Sequence, residues 1–131
     1  MANTNSSGNV GTLRGTGSAS LSANDLVLVA EQLPPDQFTL VIVSRTAGFA
    51  PLGLGNLCVA GEIGRDLGSL QNSGAAGAVT RAVDWSAIPQ PTGFVSAALG
   101  ETWRFQVWHR EVVSGFPTSN LTEGLAVTTV Q

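Results

Sequence analysis

One histidine, one cysteine and nine carboxylates are the groups in this 131-residue sequence that could move a proton, attack a substrate or hold a metal. His109 is the only imidazole, so histidine-based nucleophilic or metal chemistry depends on it. Along Trp103–Arg110 it alternates in phase with Trp103, Phe105 and Val107, which puts it on an apolar face or at its rim. No G-x-S-x-G elbow accompanies it and no second histidine can share a metal, so it reads as a strand-end substitute for an aromatic. Cys58 is alone, which excludes an intramolecular disulfide and a cysteine zinc site; it reads as a small buried residue. The carboxylates Asp25, Glu31, Asp36, Glu62, Asp66, Asp84, Glu101, Glu111 and Glu123 are scattered. Glycoside hydrolysis needs two of them held a few ångströms apart, and nothing in their spacing marks a pair. Glu62 stands out in an apolar stretch, with Arg65 or Arg81 as its expected partner. No D-x-D-x-D-G calcium loop is present. Gly53-Leu54-Gly55 lacks the third glycine of a dinucleotide fingerprint and leads into a strand pattern. The expectation is a protein without catalytic residues, metal or cofactor.

The aromatic and cationic residues suggest binding instead. All six cations are arginines, and tyrosine is absent. Of the three tryptophans, Trp108 falls out of phase with Trp103 and so faces the opposite side, together with Arg104, Gln106 and Arg110. A mixed aromatic–guanidinium face is what protein interface hot spots use. The candidate interface residues are therefore Arg104, Gln106, Trp108 and Arg110, with Arg14 from the polar leader. Core packing and stacking on a sugar are the competing readings of the tryptophans. The sequons Asn5-Ser6-Ser7 and Asn120-Leu121-Thr122 are short enough to arise by chance.

The elements that must position these groups read as strands. Length fits one domain, and 43% hydrophobic residues with a mean hydropathy of +0.21 exclude a disordered chain. No apolar run approaches the roughly 20 residues of a membrane helix. A formal charge of −3 and a pI of about 4.8 argue against nucleic acid or an anionic bilayer as the main partner. Residues 1–20 form a polar N-terminal arm, fourteen of them Asn, Ser, Thr or Gly. They have no basic or apolar region of the secretory type. Residues 21–131 form the domain. Strands are expected at Leu26–Ala30, Phe38–Arg45, Leu57–Ile63, Ala78–Asp84, Trp103–Arg110 and Leu125–Val130, with a short alternating stretch at Ser18–Ser22. The Gly/Pro-rich Thr46–Asn56 reads as a loop, Gly64–Gly77 as an irregular connection and Ile88–Pro91 as an extended link. Seven or eight short antiparallel strands predict an all-β, single-domain β-sandwich or jelly roll with an extended arm.

The segment Gly100-Glu101-Thr102-Trp103-Arg104-Phe105-Gln106-Val107-Trp108-His109-Arg110 resembles the G-x-x-W-x-F-Q-x-W-aromatic-R-D stretch of an uncharacterised β-domain. That domain is found near the C-termini of secreted and surface proteins of planctomycetes and other aquatic bacteria. Gly55–Cys58, Gln71–Gly74 and Asn120–Thr128 resemble further stretches of it, in order, across about Leu26 to Val130. His109 stands where the family usually has an aromatic, and Glu111 where it has aspartate. The resemblance implies a non-catalytic β-module of large extracellular proteins and brings no site with it.

A lone β-domain with no catalytic set, no secretion signal and a polar arm fits a phage structural protein. The expectation is a capsid decoration or cement protein on the virion surface, partnered with the major capsid protein or other assembly subunits. It would form homo-oligomers, with a trimer the first guess, contact no nucleic acid directly and lay its arm across neighbours by strand addition. The alternative is an extracellular surface or matrix module, with carbohydrate as a candidate ligand. A hydrolase built on Glu or Asp pairs ranks last.

Overall fold

The structure, a computed structural model, describes residues 2–131. It is all-β, as expected, but divides the chain more finely. The strands are β1 (Thr12–Thr16), β2 (Val27–Glu31), β3 (Phe38–Ser44), β4 (Thr46–Leu52), β5 (Gly55–Ala60) and β6 (Gly64–Asn72). They continue with β7 (Val79–Ala82), β8 (Ile88–Gln90), β9 (Gly93–Val95), β10 (Thr102–Val113), β11 (Phe116–Leu121) and β12 (Leu125–Thr128). Six strands lie where none was expected: β1 in the polar leader, β4, β6 and β8 in stretches that read as loops or links, and β9 and β11. Thr46–Asn56 contains β4, an edge strand that tolerates Pro51 and takes up Gly48 in a register shift between Ala47 and Ala50. Gly64–Asn72 is β6, and Ile88–Gln90 is β8 in a small hairpin with β9. Conversely, Ser18–Ser22 is turn and an isolated bridge from Ser20 to Val130, not a strand.

Two antiparallel sheets face each other across the main core. One has the order β1-β2-β7; the other runs β11-β10-β3-β6, with β12 beside the first part of β10. Alternation decides what each strand sends inward. From β3 come Val41 and Val43, from β10 Trp103, Phe105 and Val107, and from the smaller sheet Leu13, Leu28, Ala30 and Val79. Val27 and Val29 are only half-buried, so the uniformly apolar β2 is covered fully on one face, not both. The arrangement is sandwich-like, and no barrel closes. Arg81 of β7 grips Asp66 of β6 through two hydrogen bonds, at 2.8 and 3.1 Å, joining the two sheets at one edge. Arg81 therefore belongs to Asp66 and not to Glu62, which sits exposed in a bend.

The N-terminal segment is not a free arm. Met1 lies outside the described residues, but from Ala2 onward the segment packs on its own domain. Asn5 donates to the Gln32 carbonyl at 2.8 Å, Asn3 to Leu54 O at 2.9 Å, and the Ser6 N–H to Glu111 Oε2 at 2.6 Å. Leu13 enters the core and Thr12–Thr16 pair with β2. Side-chain amides and backbone groups hold a segment whose composition offers little apolar surface. No division at residue 20 follows from these contacts.

Gly64 starts β6 directly beneath β8. A Cβ there would overlap the Pro89 carbonyl, which is backbone and has nowhere to go. Gly64→Ala is therefore expected to lower stability by about 1–3 kcal/mol. A urea midpoint indistinguishable from that of the parent chain would show that the β6–β8 approach is looser than described.

Candidate interaction surface

The larger sheet has a second, outer face, and it is there that the exposed chemistry collects. Gln106, Trp108 and Arg110 of β10, Leu40 and Ile42 of β3, and Arg65, which opposes Ile42 across the β3–β6 ladder, all point outward. The β4–β5 hairpin folds over part of this face. Beneath it, Ile42, Val59 and Leu121 form a second, smaller core, with Leu40, Leu57, Ile63 and Trp108 half-buried around it.

Gln106 is the stitch that holds the hairpin down. It is fully buried. Its Oε1 accepts the Cys58 N–H at 2.9 Å, and its Nε2 donates to the carbonyls of Asn56 and Thr122, each at 2.8 Å. Every hydrogen-bonding group of the side chain faces a partner supplied by β5 or by the β11–β12 connection. Gln106 is thus no interface residue. It was placed on the correct face, but that face is roofed at this point.

Past the hairpin the roof ends. A groove of about 430 Å³ remains, lined by Leu40, Ile42, Leu52, Leu57, Ile63, Arg65 and Trp108. The Arg110 guanidinium lies 5.3 Å from the centre of the Trp108 ring, within cation–π range. Trp108 and Arg110 are therefore brought together as expected, and the structure adds Arg65, which sequence reasoning had set aside as a partner for Glu62. Phe38, in phase with Leu40 and Ile42, is exposed on the same side. Arg104 lies farther along β10, in a neighbouring cleft of about 370 Å³ that also contains Cys58 and Glu123, and it donates to the Arg45 carbonyl at 2.6 Å. Arg14 is remote: it sits on β1 of the other sheet, paired with Glu31 at 3.1 Å.

Among the carboxylates, Glu31, Asp66, Asp84, Glu101 and Glu111 are held by structural partners. Asp66, Glu31 and Glu101 are each paired with an arginine. Glu101 also accepts the Ala98 N–H, and this bond is the main cause holding its carboxyl below the ordinary carboxylate value. The hydroxyl and amide of Ser86, helped by Asn24, lower Asp84 in the same way. Glu111 is buried, accepting from Ser6 and from Asn120 Nδ2. Among the described residues no group of three or more His, Cys, Asp or Glu could hold a metal. A cavity of about 200 Å³ between the two sheets, with the Asp66–Arg81 pair among its lining, is bounded mostly by apolar side chains.

His109 is fully buried on the inner face, where alternation put it. Its Nδ1 faces the Arg110 carbonyl at 3.0 Å and so carries the proton of the neutral ring, while Nε2 has no hydrogen-bond partner. Burial pushes its pKa below the usual 6.5, only partly opposed by the Arg110 carbonyl and the nearby Glu111. A group whose folded pKa is depressed gives stability that is present above the unfolded value and lost as pH falls toward the folded one. Unfolding midpoints should therefore fall as pH drops from 6.5 into the range of the folded pKa, and His109→Gln should flatten that dependence. An equally steep slope in the variant would move the cause elsewhere.

No protein-family model matches the chain, and neither a curated protein nor a solved structure is significantly similar to it.

Proposed function

We propose that this chain is a non-enzymatic structural module that docks through the outer face of its larger sheet, and that it does so as a decoration or cement protein on a phage capsid. The observation that carries the docking reading is Trp108, half-buried in an unroofed apolar groove under the Arg110 guanidinium. Trp and Arg are the side chains most enriched in interface hot spots, where a large rigid contact surface is combined with a fixed fork of donors. Exposed Leu52 lines the same groove, and exposed Phe38 lies in phase with its Leu40 and Ile42. The virion assignment rests on the sandwich-like all-β fold together with this exposed aromatic–arginine face. Because residues 2–16 pack on their own domain, the sheet face and not an arm laid over neighbours is the adhesive. Copies in a cyclic cluster, a trimer by preference, would multiply individually weak contacts through high effective concentration.

The test is a density gradient of material from the native source, with the chain quantified by mass spectrometry. Recovery with DNA-filled particles at a copy number near that of the shell protein supports the capsid assignment. Recovery with cell envelope or glycan matrix replaces it by the extracellular surface module that the resemblance to secreted planctomycete domains suggests. In either setting Trp108→Ala should weaken attachment at least tenfold.

A further inference from the structure

The distribution of charge over the two sheets says what kind of partner the outer face takes. The chain is acidic, at −3 with nine carboxylates to six arginines. Among the described residues three arginines form ion pairs: Arg14 with Glu31, Arg45 with Glu101 and Arg81 with Asp66. The other three are Arg65, Arg104 and Arg110, and all three project from the outer face of the larger sheet. Arg65 lines the groove itself, alongside six apolar side chains and no carboxylate. The Arg110 guanidinium lies 5.3 Å from the centre of the Trp108 ring, within cation–π range, and its side chain forms no ion pair among the described residues, so its fork of N–H donors can serve a carboxylate. Arg104 lies apart, in the cleft that also contains Glu123, so in a protein with carboxylates in excess Arg65 and Arg110, on the groove side of this face, are the cations that can receive an anionic group.

Resting on the reading that this face docks, we propose that its occupant is a short acidic segment of a partner protein. Its aspartate or glutamate carboxylates would bridge Arg65 and Arg110, and an adjoining apolar side chain would fill the groove against Trp108. Nucleic acid fits less well, because the rest of the acidic chain repels a polyanion and the groove would stay empty. An anionic glycan would satisfy the arginines but offers little apolar surface to the lining.

The experiment uses the full chain and the fluorescence of Trp108, the half-buried tryptophan; Trp85 and Trp103 are both buried. The probes are a synthetic peptide alternating Asp with Leu and Phe, the same peptide with Asn for every Asp, and a heparin-derived oligosaccharide. The expected result is a saturable emission change with the acidic peptide, weakening as salt rises. Affinity should be at least tenfold lower for the Asn peptide and for the Arg65→Gln/Arg110→Gln double variant. Equal binding of the Asp and Asn peptides to the parent chain would overturn the acidic partner while leaving the docking face standing. Binding of the oligosaccharide with no response to the acidic peptide would overturn it in favour of a glycan. If no probe binds and Trp108→Ala leaves attachment in the native source unchanged, the docking face falls as well.

Discussion

Replacing Gln106 by leucine is expected to lower the unfolding free energy by about 2–4 kcal/mol, although the two side chains are similar in size. Volume is not what the site needs. The substitution removes the acceptor of the Cys58 N–H and the donor of two short bonds to the Asn56 and Thr122 carbonyls, the last of them wholly buried. A buried polar group deprived of its partner costs about 1–3 kcal/mol, and at least one such group results. The loss should be local before it is global. Amide exchange should accelerate first along β5, at Cys58 above all, while the amides of β2 in the opposite sheet keep their protection. A urea midpoint within experimental error of the parent would mean that apolar contacts alone seat the hairpin. Because the hairpin also walls the Trp108 groove through Leu52 and Leu57, the same variant should bind the acidic peptide more weakly, without any change at Arg65 or Arg110.

The second large effect is expected at the end of the sandwich covered by residues 2–10. Glu111→Ala should cost about 2–4 kcal/mol, from lost partners and from the space left behind. Glu111 Oε2 accepts the Ser6 N–H at 2.6 Å and Oε1 accepts Asn120 Nδ2 at 3.2 Å, and the carboxylate is almost wholly buried. Glutamine would do better than alanine but not restore the parent. It keeps one acceptor for Ser6 while turning a donor toward the Asn120 amide, which is itself donating. The diagnostic readout is exchange at the Ser6 amide and proteolysis within residues 2–10. Both should rise far more than anything in the core. A loss of stability with that segment still protected would show that Glu111 supports the β10–β11 ladder instead.

These two residues also show how far the sequence could be read. The strand Trp103–Arg110 and its sidedness were legible because Trp103, Phe105, Val107 and His109 alternate with Arg104, Gln106, Trp108 and Arg110, and the structure keeps that division. Phe38–Arg45 was legible for the same reason, with Val41 and Val43 inward and Leu40 and Ile42 outward. The outer face, however, reads from its sequence as a candidate interface at Gln106 as much as at Arg104, Trp108 and Arg110. A polar side chain in phase with arginines reads as solvent-facing unless the covering element is known, and that element is β4–β5, whose glycines and Pro51 resemble a loop. The buried state of Gln106 is a consequence of tertiary cover that no local pattern encodes. The N-terminal segment shows a different limit. Composition showed correctly that residues 1–20 have little apolar surface to bury, but such a segment can be held by backbone and amide hydrogen bonds to partners far away in sequence. Arg65 was hidden by a wrong choice of partner, since the pairing of Arg81 with Asp66 depends on how the two sheets align.

The distances in sequence between the N-terminal segment and its partners bear on how the protein is made. Ser6 waits for Glu111, 105 residues later, and the Thr4 carbonyl waits for Asn120, 116 residues later. At ordinary rates of translation that delay is on the order of ten seconds, during which Thr4 and Ser6 lack the partners that β11 and β10 supply. An apolar segment left unpartnered for that time would seek the exposed strands of neighbouring nascent chains. A run of Asn, Ser, Thr and Gly stays hydrated and inert until the last strands of the larger sheet arrive, and then closes over them. The polarity that makes this stretch look like a tether is what lets it wait safely for its place in the fold.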